Sequence, residues 1–244
     1  MVGAPAAADA VARAQRLPGL RVGLHLVLVE GRPVLPPDEL PDLVDRRGHF
    51  HDDMLRTSFA ILLPRVHRQL EAEIQAQFAA FRATGLTLDH VNAHKHFQLH
   101  PTIAGLTLRI GRKYGLAAMR MPFEPMRVLD RIESGGRRLA ATAVAPWAAL
   151  LRARLRASGI AVPDQVFGLA WSGAMTESRV QGLLANLPEG VSEIYAHPAT
   201  AGGFIGAAPG YRYADELAAL TAPASRAAAA ASGARMGGFA DLPH

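Results

Sequence analysis

The chain is 244 residues long, half apolar, free of cysteine and formally charged at +5. This length and composition suffice to bury one full α/β core, and the lack of thiols excludes disulfides and thiolate metal sites, leaving imidazole, carboxylate and water for any cation. The basic residues are nearly all arginine, scattered among alanines. With no aromatic-interleaved basic patch and no helix-turn-helix or zinc-finger spacing, no nucleic-acid partner is expected.

The opening MVGAPAAADAVARA lacks both a basic leader and a sustained apolar core, so no signal peptide is expected and the chain is placed in the cytoplasm. Residues 4–16 predict a helix that ends at LPGL. Arg21 to Val29, RVGLHLVLV, predicts a strand with apolar residues on both faces, as in a buried parallel strand. A proline-rich loop follows. Asp52 to Arg82 predicts one or two helices, the second with Leu70, Ile74, Phe78 and Phe81 at helical spacing.

LTLDHVNAHKHF predicts the next strand running into its loop, Pro101 opens a helix through Lys113, and GLAAMRMP predicts a further strand. Helices are expected around Arg137 to Ala157, at Glu177 to Asn186 and from Ala214, with strands at SEIYAHP and near ARMGGFADL. Strands alternating with helices imply parallel βαβ units, closed as a barrel or open as a doubly wound sheet. In either case ligands gather at the C-terminal strand ends.

The longest apolar run, Leu139 to Leu151, is shorter than the roughly 20 residues that span a bilayer. It is flanked by Arg137, Arg138, Arg152, Arg154 and Arg156 and contains Trp147. The simpler expectation is a surface helix with solvated arginines; the alternative is peripheral contact with an anionic membrane surface or an amphiphilic substrate.

HVNAHKHFQLHP, from His90 to Pro101, holds four of the ten histidines. In an extended chain His94, His96, Gln98 and His100 project to one side. A row of imidazoles is costly to bury without partners, and a bound metal accounts for it better than a polar loop rich in histidine by chance. Alternate residues sit roughly 6 to 7 Å apart, so the whole row cannot reach one ion. His25 alone on an apolar strand is the pattern of a satisfied core residue; the histidine-rich segment makes it a candidate ligand. His197, at the end of SEIYAHP, is a candidate acid or base. Arg120 is either a surface charge or an anchor for a substrate oxygen or carboxylate.

The ordered series GLHLVL, DHVNAHKHFQLHP, MRMP, EIYAHPA, PGYRYADELAALTAP and GGFADL resembles the YdjC-like (ChbG/HpnK) carbohydrate deacetylases, and within them the hopanoid-biosynthesis HpnK branch. The resemblance spans nearly the whole chain as a single domain. It implies a distorted (β/α) barrel and one divalent metal ion, magnesium, zinc or another, held by an aspartate and two histidines. Carried onto this sequence, those histidines are His25 and His94, and the histidine of the family's C-terminal HP motif is His197. His197 and Arg120 are taken as the candidate catalytic residues, and His96, Gln98 and His100 as candidate substrate-binding residues. The implied substrate is an N-acetylated sugar, in the HpnK branch a hopanoid-linked N-acetylglucosamine, with peripheral contact at the inner membrane face.

Two departures stand out. Gln98 replaces a usual histidine, and the family's opening Asp-Asp strand has no match here, since Asp52 and Asp53 do not fit that motif. The first βαβ segment is therefore expected to be missing. A catalytically impaired barrel with residual metal or amphiphile binding and a metal-dependent phosphoesterase remain alternatives.

Overall fold

The computed structural model describes residues 1–134 and 139–242, which fall into two compact units. The first comprises Met1–Arg120, Leu151–Val162 and the stretch from Gly238; the second comprises Met121–Leu150 and Pro163–Gly237.

In the first unit α1 (Ala7–Gln15) leads to β1 (Val22–Leu26). Two helices then occupy the expected helical region. α2 (Met54–Ala60) is capped by the Asp53 side chain, which accepts the Arg56 N–H at 2.9 Å, and α3 (Pro64–Ala83) starts on proline, whose missing N–H costs nothing there. α3 buries Val66, Leu70, Ile74, Phe78 and Phe81, the apolar stripe legible in the sequence. The same face carries two buried polar residues that hold the chain leaving β1. Gln77 brackets Val27, accepting its N–H at 3.0 Å and donating to its carbonyl at 2.7 Å, while Glu73 accepts the N–H groups of Val34 and Leu35.

β2 (Leu88–Ala93) runs parallel to β1, pairing Leu24 with Val91, His25 with Asn92 and Leu26 with Ala93 after an irregularity between Val22 and Leu24. α4 (Pro101–Gly111) follows. The expected strand at GLAAMRMP is reduced to single parallel bridges, Val91 with Met119 and Ala118 with Ala161. It is bracketed by Gly115 in the left-handed region at φ 81° and by Pro122, which has no N–H to extend a ladder. The strand expected near ARMGGFADL does not form. The N–H groups of Phe239 and Ala240 instead donate to the buried Asp89 carboxylate at 3.2 and 3.0 Å, and the chain turns in a short 3-10 helix, Phe239–Asp241.

The second unit contains α5 (Met126–Ile132), which the sequence reading passes over, and most of α6 (Leu139–Ala157), whose Leu151–Ala157 end belongs to the first unit. Arg137 and Arg138 of the expected basic cluster lie outside the described residues. β3 (Gln165–Phe167), α7 (Glu177–Ala185), β4 (Ser192–Ile194), α8 (Tyr213–Thr221) and α9 (Pro223–Ala231) complete it, with β3 and β4 parallel. Its core joins Leu129, Phe167, Trp171, Met175, Leu183 and Ala219. The architecture is α/β, and no described helix is long and apolar enough to cross a membrane.

Asp89 gives a pH test of this packing. Burial raises its carboxyl pKa, but hydrogen bonds from His90 and from the Ala240 and Phe239 N–H groups outweigh burial and hold it below the ordinary 3.8. A depressed folded pKa stabilises the fold above the unfolded value, and that contribution is lost as pH falls through the folded one. Asp89→Asn is expected to cost about 1–3 kcal/mol in urea unfolding at pH 7. The difference from the native chain should shrink as the pH is lowered past the ordinary carboxylate value.

Candidate functional site

The β1–β2 register sets His25 beside Asn92, and the His25 Nδ1 lies 2.6 Å from the Asn92 Oδ1. An amide oxygen only accepts, so His25 donates from Nδ1 and its Nε2 carries the lone pair. Burial drives the His25 imidazole down to about 3 against the raising effect of Asn92, with positive charge from the Met1 ammonium, and then from His94 and Arg120, adding to the fall. His25 is therefore neutral at physiological pH, the state a cation ligand requires.

His94 follows β2 directly, and its ring stands edge-on to that of His25 with centroids 5.8 Å apart. Its Nε2 is 3.3 Å from Glu30 Oε2, and the other Glu30 oxygen forms an ion pair with Lys95. Burial raises the Glu30 carboxyl, but Lys95 and His94 together bring it below its ordinary value. Among the described residues, Glu30, Lys95 and His96 are the non-glycine residues with positive φ, at 51°, 51° and 56°. Such conformations cost of order 1–3 kcal/mol each and persist where surrounding contacts over-determine them. All three flank the His94 turn.

Those left-handed residues overturn the expected row of side chains. The strand ends at Ala93, and Lys95 and His96 turn the backbone, so residues 94, 96, 98 and 100 no longer alternate along an extended chain. Gln98 is fully buried and donates to the Arg120 carbonyl at 3.4 Å, leaving its Oε1 without a hydrogen-bond partner. His100 accepts the Thr102 N–H at 3.3 Å and caps α4. His96 is half-buried in the turn. Arg120 is buried, its N–H donating to the Val91 carbonyl at 3.0 Å.

In the second unit, the backbone N–H of His197 is held by the buried Glu216 carboxylate, which also accepts the Met175 N–H at 2.9 Å. The His197 ring lies edge-on to Tyr195 and Tyr211, at 5.6 and 5.0 Å between centroids, and the Tyr211 hydroxyl meets Ser172 Oγ at 2.8 Å. Glu124 accepts three successive N–H groups, from Gly168, Leu169 and Ala170, and so fixes the turn after β3. Sequence reasoning passes over Glu30, Asn92, Glu124 and Glu216; isolated acids and amides carry no spacing signal.

The imidazole pair satisfies part of what a divalent ion needs. His25 is neutral, with Nδ1 tied and Nε2 bare, and His94 stands at the same strand ends. Among the described residues no group of three His, Asp or Glu converges to hold a cation. The two imidazoles thus fit as two ligands; the carboxylate beside them, Glu30, is engaged by His94 and Lys95 and does not converge with both rings on one point, so the aspartate ligand implied by the resemblance is not matched among the described residues.

A family model described as YdjC-like protein matches residues 1–231. The chain is similar to proteins named carbohydrate deacetylase: 37% identical over 43% of this chain and 40% of that from Brevibacillus brevis, and 22% identical over 82% and 68% for that from Thermoanaerobacter pseudethanolicus. The one from Geobacillus stearothermophilus is 26% identical over 91% of this chain and 76% of its own. The aligned part of the chain therefore spans well under half of the Brevibacillus relative. A crystal structure from Enterococcus faecalis V583, provisionally described as a cellobiose-phosphate cleavage protein, superposes with a TM-score of 0.73 at 21% identity. That match covers 98% of this chain and 84% of the other, and shows the fold they share.

The depressed His25 pKa makes stability depend on pH in the metal-free chain. Below the ordinary value of 6.5 the unfolded chain takes up a proton at this position that the native state refuses until about 3. Stability is therefore expected to fall as pH drops through that window. His25→Gln should flatten the fall by about one proton per molecule, read from urea midpoints across the window.

Proposed function

The chain belongs to the YdjC-like family, and on that premise we propose that it is a metal-dependent hydrolase that removes the acetyl group from an N-acetylated amino sugar. The observation that carries this reading is the approach of the His25 and His94 rings at the C-terminal ends of two parallel strands. Relatives named carbohydrate deacetylase support the substrate class. The distorted barrel implied by the resemblance is the frame proposed for it.

His25, through Nε2, and His94 would hold the divalent ion, with a carboxylate as a further ligand. When bound, such an ion polarises the acetamide and lowers the pKa of a water. The chain's own residues do the rest. Asn92 keeps the His25 proton on Nδ1, Glu30 and Lys95 hold the His94 turn, and Arg120 supplies positive charge beside His25. His96, Gln98 and His100 are proposed to shape the substrate-binding turn, and His197 to give a proton to the departing amine.

For the finer substrate, an amphiphile such as an N-acetylglucosaminyl hopanoid is proposed. In the first unit, Leu55, Phe59, Leu62 and Leu63 are all exposed on α2 and its exit, and the adjacent Ser58 backbone hydrogen-bonds His100. An apolar face beside the histidine-rich turn suits a substrate with a lipid portion, and peripheral membrane contact would follow from it.

Acetate release with added magnesium or zinc tests the reading. His25→Ala and His94→Ala are each expected to reduce it by more than the roughly 10–100-fold that loss of an outer-shell partner costs. Phe59→Ser should lower turnover of a lipid-linked substrate and spare a soluble chitooligosaccharide. Phosphate release in place of acetate would favour a phosphoesterase, and zinc binding with neither product would leave a binding protein without turnover.

A further inference from the structure

Behind His25 lies a hydrogen-bonded series on β2. Asp89 Oδ2 is 2.9 Å from His90 Nδ1, His90 Nε2 is 3.4 Å from Asn92 Nδ2, and Asn92 Oδ1 is 2.6 Å from His25 Nδ1. Each link fixes the direction of the next. The Asp89 carboxylate only accepts, so His90 donates from Nδ1, and in the neutral imidazole its Nε2 is then the acceptor. The Asn92 amide must then turn its NH2 towards His90 and its oxygen towards His25. His25 in turn donates from Nδ1.

The His90 ring is confined by two neighbours. A Cβ on Gly23 would come within 2.5–2.7 Å of three ring atoms, and the Phe239 ring stacks on the imidazole at 4.1 Å with an 18° tilt. Asp89 is anchored by the Phe239 and Ala240 N–H groups as well as by His90. One arrangement thus accounts for the glycine of VGLH, the Asp-His pair that precedes VNAHKH and the GGFA near the C-terminal end.

We propose that Asp89 and His90 are positioning residues which, acting through Asn92, hold His25 in the Nδ1–H tautomer with Nε2 bare towards its ligand. The inference rests on the reading of His25 as a ligand-bearing imidazole, but the tautomer is measurable without any ligand. His90 would touch neither substrate nor cation. Its effect passes through the Asn92 amide, which without His90 is free to rotate and to offer His25 its NH2 instead of its oxygen.

The test is a long-range proton–nitrogen correlation spectrum of histidine-labelled, metal-free protein, with His25 signals identified by their loss in His25→Gln. Native His25 is expected as a single Nδ1–H form near neutral pH. In His90→Phe, which can keep the stack on Phe239 but has neither nitrogen, His25 should populate both tautomers. Zinc affinity in calorimetry should fall by about tenfold or more. Gly23→Ala, which displaces the His90 ring, should act in the same direction and serves as the second variant if His90→Phe does not fold. Asn92→Asp, which can still accept from His25, should retain the native tautomer.

An unchanged His25 tautomer in both His90→Phe and Gly23→Ala would overturn the inference, and zinc binding in that case would leave the ligand reading standing. A native tautomer that shifts as expected in a chain that binds no zinc would support the positioning series and sink the ligand reading.

Discussion

The alignment of β1 with β2 underlies the candidate site. Because side chains alternate along a strand, a slip of one residue would turn His25 away from Asn92 and set a leucine in its place. The observed register instead puts His25 beside Asn92, so the ring's orientation follows from backbone pairing. β2 ends one residue later at Ala93, and the left-handed Lys95 and His96 let the chain turn, with His94 still at the strand end beside His25. α3 reinforces this from the other side, since Gln77 and Glu73 tie down the segment that carries Glu30 to His94 and Lys95.

A second theme is the use of buried carboxylates where regular ladders stop. The four strands among the described residues have only five, six, three and three residues, so much of the backbone near them must find partners elsewhere. Glu73, Asp89, Glu124 and Glu216 each accept two or three backbone N–H groups. Each joins segments distant in sequence, and two bear directly on candidate residues: Asp89 through His90, and Glu216 through the His197 N–H. An apolar side chain at these positions would leave N–H groups unpaired in the interior, a cost that exceeds the worth of an ordinary hydrogen bond.

Much of this is legible in the sequence where periodicity carries the signal. The long stripe from Leu70 to Phe81, the parallel strand through His25 and the helix opened by Pro101 follow from spacing and proline placement. The histidine-rich segment reads as extended because alternating imidazoles suggest a strand; nothing in its local composition signals two consecutive left-handed residues without glycine or asparagine. The strand expected at ARMGGFADL fails for a related reason. Its N–H groups are claimed by Asp89, about 150 residues away, and a long-range carboxylate contact leaves no local pattern. His25 and His94 do stand ring to ring, whereas the contacts of Asn92 and Glu30 emerge only from the fold.

The central claim is that two imidazoles far apart in the chain share one cation. Crystals soaked in zinc and measured on both sides of the zinc absorption edge test it most directly, since the anomalous difference map shows only the metal. The account predicts one peak at zinc–nitrogen distance, about 2.0–2.1 Å, from both His25 Nε2 and a His94 ring nitrogen. A peak bound by either ring without the other, or none beside the pair, would contradict it.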